Sequence, residues 1–173
     1  GYHGWHDWYL STNHNEGDGL ASHLLSGLST DGVPKALKNT TYPFKYNDFN
    51  ELSSLVSEKN IGVIKMEVTR NFGPEDDFLK KVRELATKNN IVLIFDECTS
   101  GFRETYGGIH AKYGVEPDIA MYGKTLGNGY AITAVVGKRS VMEATQNSFI
   151  SSTFWTERIG PTAALATLHE MKK

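Results

Sequence analysis

With a single cysteine, Cys98, the chain can form no intrachain disulfide framework, which excludes the small secreted domains that depend on bridges. Charge of one sign is also scarce. The 18 Lys and Arg are scattered among 20 Asp and Glu, giving net charge −2 and a pI near 6.3. No basic stripe marks nucleic acid or an anionic membrane as a partner. The apolar runs are about a strand in length, far short of the roughly 20 residues of a membrane-spanning helix. No signal-peptide pattern stands at the amino end. A cytoplasmic protein acting on small molecules is the expectation. A chain of 173 residues with 39% hydrophobic content can bury one sizeable core and is short for two full domains. It opens on Gly1 without methionine and stops inside a helical pattern, so it is expected to be part of a longer protein.

Residues 9–43 are rich in Ser, Thr, Asn, Gly and Asp without a steady period, and read as a long loop with at most short elements. Phe49, Leu52, Leu55 and Val56 predict a helix over 49–59, capped by Asn47 or Asp48. Residues 61–68 read as a strand. A second helix follows Gly73-Pro74-Glu75-Asp76-Asp77, with Phe78, Val82, Leu85 and Ala86 on its apolar face, acids in its first turn and Lys88 in its last. Strands are expected at 91–95, 117–122 and 131–137, with Gly127 and Gly129 turning the chain between the last two. A long helix packed on the core is expected over 156–173. This order is α/β. The uninterrupted apolar run Ile91-Val-Leu-Ile-Phe95 fits a strand covered on both faces in a parallel sheet. Ligands of such sheets lie at the carboxyl ends of the strands, where Glu67, Asp96 and the turn carrying Lys124 fall.

That turn, Tyr122-Gly-Lys-Thr-Leu-Gly-Asn-Gly-Tyr130, holds the most informative residue. A lysine forms an imine with an aldehyde, and a partnered carboxylate keeps a ring nitrogen protonated. Lys124 with Asp96 therefore suits pyridoxal phosphate better than a metal or a nucleotide. Gly123-Lys124-Thr125 also ends like a phosphate-binding P-loop, but Asp118 stands where that pattern needs its first glycine. His3 and His6 have a zinc-like spacing, yet no cysteine pair or acidic third ligand matches it, so no metal is expected.

Four segments, Tyr2-His3-Gly4, Asp96-Glu-Cys-Thr-Ser-Gly-Phe-Arg103, Pro117-Asp-Ile119 with Gly123-Lys124, and Ser152-Thr-Phe154, occur in this order. Together they resemble the class III pyridoxal-phosphate aminotransferases, glutamate-1-semialdehyde aminomutases being near relatives in pattern. The resemblance implies a three-layer α/β/α fold with a mostly parallel sheet of the aspartate-aminotransferase type. It also implies a homodimer with shared active sites, and pyridoxal 5′-phosphate as cofactor. Residues 1–173 would be part of the cofactor-binding large domain, with the upstream phosphate loop and the carboxy-terminal small domain lying outside.

By the same resemblance, Lys124 is the internal-aldimine lysine and proton carrier, and Asp96 pairs with the pyridine nitrogen. Cys98, where the family usually has valine, packs on one ring face and Tyr2 stacks on the other. Glu67 is a substrate or structural residue, and Thr153 reaches the cofactor phosphate of the other subunit. Glu97 is expected in structural hydrogen bonds. Two departures bear on the substrate. Glu67-Val-Thr-Arg-Asn71 lacks the family's proline and brings an arginine, and Phe154-Trp-Thr-Glu-Arg158 replaces a run of small residues. Arg70, Arg103 and Arg158 are candidates for an anionic substrate group. The implied function is transfer of an amino group between an amine donor and a carbonyl acceptor. An intramolecular aminomutase of the glutamate-1-semialdehyde type, or an inert binding or assembly protein of the same fold, are the alternatives.

Overall fold

The computed structural model describes residues 7–14, 19–21 and 27–173, and the chain divides after Ile61 into two units. The first unit contains helix α1 (Asp7–Ser11), single 3-10 turns at Thr12–His14 and Lys35–Leu37, and helix α2 (Phe49–Glu58). Nothing longer than a turn forms among the described residues between 12 and 48, in keeping with their aperiodic polar composition. Asp48 is the cap of α2, its carboxylate accepting the Glu51 N–H at 2.9 Å. Leu52 is the fully buried member of the α2 apolar face.

The second unit is built on strands β1 (Val63–Glu67), β2 (Val92–Asp96), β3 (Ile119–Tyr122) and β4 (Ala134–Gly137), hydrogen-bonded in that order. Helix α3 (Phe78–Lys88) lies between β1 and β2 in the chain, a one-turn α4 (Arg139–Met142) follows β4, and α5 (Ile159–Met171) closes it. The α3 crossover lets β1 and β2 run parallel, and β3 is parallel to β2. The shorter turn through Gly127 and Gly129 returns β4 antiparallel to β3. The result is the expected α/β class with a mostly parallel sheet.

Three details differ from the sequence reading. The acids before α3 do not enter its first turn: Asp76 and Asp77 take left-handed φ of 47° and 57°, and the helix begins at Phe78. Asp77 instead accepts a bond from Lys80 at 2.7 Å. Along β2, Leu93 and Phe95 are fully buried while Val92 and Ile94 are half-buried, so the two faces are unequally covered. Helix α5 begins at Ile159, where Glu157 accepts the N–H groups of Ile159 and Gly160 at 2.5 and 2.8 Å. It packs through the narrow strip at Gly160 and Ala164, leaving Leu165 55% exposed.

One core forms where Phe78, Leu79, Val82 and Ala86 of α3 join Ile64, Met66, Leu93 and Phe95 of the sheet in near-complete burial. Each of these larger side chains contributes roughly 1.5–3 kcal/mol by leaving water. A second cluster gathers Ala120, Tyr122, Leu126 and Ala164, with Phe102, Ile132 and Ala134 against it. At the amino end of the sheet, Asp118 is a clasp. Its carboxylate accepts the Leu93 N–H at 2.8 Å and pairs with Arg83 of α3 at 2.8 Å and Lys138 beyond β4 at 2.7 Å. Burial opposes the charge, but the Leu93 N–H, Lys138 and Arg83 outweigh it and bring the carboxyl down to about 2.

Candidate active site

Parallel strands deliver their last residues to one edge. The register sets Glu67 beside Asp96, and Asp96 beside Met121, one residue before Tyr122-Gly123-Lys124. Side chains two apart on a strand share a face, so Lys65 lies on the face of Glu67. Lys65 Nζ stands 3.4 Å from Asp96 Oδ2, while Asp96 Oδ1 accepts the Cys98 N–H at 3.2 Å. Asp96 is only 7% exposed and Glu67 9%. Both carboxylates are therefore contacted by neighbouring cations and donors more than by water.

Lys124 opens a 3-10 turn, Lys124–Leu126, with φ at 45°. A lysine in the left-handed region costs about 1–2 kcal/mol, and such strain is concentrated where side-chain direction matters. Here the Lys124 carbonyl accepts the Gly127 and Asn128 N–H groups at 3.1 and 3.0 Å, which fixes the turn. Gly127 is required for it, because a Cβ there would meet the Tyr130 carbonyl oxygen at 2.1 Å. The exposed Lys124 side chain donates to Thr99 Oγ1 at 2.9 Å. Arg70 Nη2 donates to the same hydroxyl at 3.4 Å, and Arg70 Nε sits 3.1 Å from Glu67 Oε1. Arg103 Nε donates to the Thr99 carbonyl at 2.5 Å. Thr99 thus links the strand end carrying Asp96 to the turn carrying Lys124.

Cys98 lies between these groups. Its thiol is pushed up to about 11, first by burial and then by the charge and hydrogen bonding of Asp96, with Lys124 and Lys65 offsetting part. A thiol raised this far is uncharged at neutral pH, which suits packing better than nucleophilic attack. Beside it Gly123 carries no side chain, and a Cβ there would come into ordinary contact with Cys98 Sγ and Thr133 Cγ2 at 3.5 Å.

Beneath the site, Glu97 is fully buried and saturated. It accepts the Ser100 hydroxyl, the Ile109 and His110 N–H groups at 3.2 and 3.0 Å, and meets His110 Nδ1 at 2.8 Å. Burial raises its carboxyl, yet the bonds from His110, Ser100 and Ile109 prevail and leave it below the ordinary glutamate range. The structural role expected for Glu97 is what is seen. Gly108 makes room for it, since a Cβ would fall 2.3 Å from His110 Nδ1 and 2.7 Å from Glu97 Oε1.

Of the residues singled out in the sequence, Asp96, Cys98, Lys124 and Glu67 share this edge of the sheet. Thr153 stands in an exposed turn. Tyr2, with His3 and His6, lies outside the described residues. Among the described residues no cluster of His, Cys, Asp and Glu could hold a metal ion, and no helix is long and apolar enough to cross a membrane. Sequence reasoning passed over Lys65 and Thr99. A lysine two residues before a strand-end glutamate signals a charge on the ligand-facing side, whereas the bond between Thr99 and Lys124 spans 25 residues and leaves no local trace.

A cofactor with an aldehyde and an electron-accepting aromatic ring fits this donor set: one amine held at a strained turn, one buried carboxylate, and a neutral thiol beside a glycine. The family model of class-III aminotransferases matches residues 1–173. The chain is 35% identical to the 3-aminobutyryl-CoA aminotransferase of Cloacimonas acidaminovorans, over 100% of this chain and 40% of that protein. It is 37% identical to the glutamate-1-semialdehyde 2,1-aminomutase of Nitrosopumilus maritimus, over 99% of this chain and 41% of that one. The chain therefore spans about two fifths of the length of these curated relatives. The crystal structure of an omega-transaminase from Sphaerobacter thermophilus superposes with TM-score 0.82 at 26% identity, covering 98% of this chain and 42% of that one. With the family model matched from end to end and an edge of the sheet that sets a lysine, a threonine and a buried aspartate together, the chain belongs to the class-III aminotransferases.

Proposed function

We propose that the protein moves an amino group between an amine donor and a carbonyl acceptor, using pyridoxal 5′-phosphate held at Lys124. The observation that carries this reading is the strained turn that directs Lys124 Nζ onto Thr99, beside the strand ending in Asp96. When bound, the cofactor supplies an aldehyde for the lysine and a ring that accepts electrons from the substrate carbon. The chain supplies the rest. Asp96 would hold the proton on the ring nitrogen, its own charge supported by the Cys98 N–H and Lys65. Lys124 Nζ would carry a proton to and from the reacting carbon, with Thr99 Oγ1 orienting the amine. Cys98 would pack against one ring face and Tyr2 against the other. Glu67 would orient Arg70.

A homodimer in the cytoplasm completes the proposal, with Thr153 reaching the partner's cofactor phosphate. The surface around Thr153 is suited to such an interface: Phe149, Phe154, Trp155 and Ile159 are 95%, 62%, 67% and 65% exposed in this chain, an apolar patch of the kind that another protein surface covers. The aminomutase named among the relatives favours a second reading, in which one substrate undergoes both half-reactions through the same residues. The retained pair of Lys124 and Asp96 speaks against an inert scaffold. The full-length protein, loaded with cofactor, would be given an amine donor with and without an external keto acid, and glutamate-1-semialdehyde separately. Amino transfer to the keto acid is expected. Rearrangement of the semialdehyde without any transfer would replace this reading with the mutase, and neither reaction would leave the scaffold.

A further inference from the structure

We infer that Arg70 receives a carboxylate of the substrate, which makes the donor an amino acid rather than a simple amine. The inference rests on the amino-transfer reading and deepens it.

Three observations carry it. The first is position. Arg70 lies three residues beyond Glu67, at the edge of the sheet that holds Asp96 and Lys124, and its guanidinium shares the Thr99 hydroxyl with Lys124 Nζ. A group bound at Arg70 therefore sits beside the amine that would act on the substrate. Arg103 instead donates to the Thr99 carbonyl, and Arg158 lies exposed before α5.

The second observation is charge. Lys65, Arg70 and Lys124 meet two carboxylates, Glu67 paired with Arg70 and Asp96 facing Lys65. With Arg103 on the Thr99 carbonyl as a fourth cation, positive side chains outnumber negative ones at this edge among the described residues, which favours an anion there. The third is geometry. A guanidinium has five N–H donors in a planar fork, and the Glu67 and Thr99 contacts engage Nε and one Nη. The remaining donors match the two oxygens of a carboxylate. With 27% of its side chain exposed, Arg70 is open to a small molecule yet shielded enough for the pairing to hold. Glu67 serves as the resting counter-ion that keeps the fork aimed.

The cofactor's phosphate is the other anion that could reach this arginine, and the test separates the two. The full-length holoenzyme and its Arg70→Gln and Arg70→Lys variants would be mixed with L-alanine, β-alanine and γ-aminobutyrate, each beside its primary amide. The change in the cofactor's visible band gives apparent affinity and rate for each donor, and a separate titration gives the affinity for pyridoxal phosphate. The wild type is expected to favour at least one carboxylate over its amide, and Arg70→Gln to cut that ratio by about 10- to 100-fold, the loss typical of a charged hydrogen-bonded contact. Arg70→Lys should recover part of it, and cofactor affinity should stay within about threefold, since the inferred contact is to substrate. An unchanged ratio in Arg70→Gln, a wild type indifferent to the carboxylate, or a loss confined to cofactor affinity would each overturn the assignment. A wild-type band that no amine changes would instead strike at the amino-transfer reading itself.

Discussion

Replacing Asp118 by Asn removes one charge from the amino end of the sheet while keeping an oxygen for the Leu93 N–H. The folded carboxyl lies at about 2 against an ordinary 3.8, despite burial, because the Leu93 N–H, Lys138 and Arg83 favour its charge. At about 1.4 kcal/mol per pKa unit, that difference sets a ceiling near 2.5 kcal/mol. Half of the Lys138 side chain is exposed, so water screens its share, and about 1–2 kcal/mol is the expected loss. The sign follows from a depressed folded pKa: the stabilisation is complete above the unfolded value near 4 and drains away as pH falls towards 2. Thermal melts of the full-length protein and the variant at pH 7, 5, 4 and 3 would read it. A gap of about 2–8 °C is expected at pH 7 and 5, narrowing at pH 4 and further at pH 3. A gap that does not change with pH, or none at pH 7, would refute the account of the clasp.

Two further perturbations probe the ground beneath and beside the site. Gly108→Ala drives a methyl into His110 and Glu97, breaking a buried charged network, and should cost about 2–4 kcal/mol, read as a lower melting temperature. A melting temperature within a degree of wild type would show that the network yields. Cys98, raised from 9.0 to about 11, should alkylate with iodoacetamide on the order of a hundredfold more slowly at pH 8 than a free thiol of ordinary pKa. Equal rates would mean that the thiol is not held neutral.

Much of the framework was legible because it is written in local patterns. The alternation of strand-like and helical runs predicts the α/β order, Asn47 or Asp48 before Phe49 predicts the α2 cap, which Asp48 supplies, and the carboxyl ends of parallel strands bring Glu67, Asp96 and Lys124 together. What was misread depends on backbone or surface. Two consecutive aspartates in left-handed conformation delay α3, although their acidity reads as a first turn. Leu165 fits an apolar stripe but faces outward in this chain, because α5 approaches its neighbours through glycine and alanine. The Thr99 bridge was invisible for another reason: its side-chain bonds to Arg70 and Lys124 cross 29 and 25 residues, and only the folded sheet edge closes them.

The central claim is that Lys124 is the amine that holds the cofactor. Its most direct test is borohydride reduction of the full-length protein with pyridoxal phosphate, followed by peptide mapping. A single label on Lys124 is predicted, lost together with the visible band in Lys124→Ala. A label on Lys65, the other amine of this edge, or no reducible band at all, would contradict it.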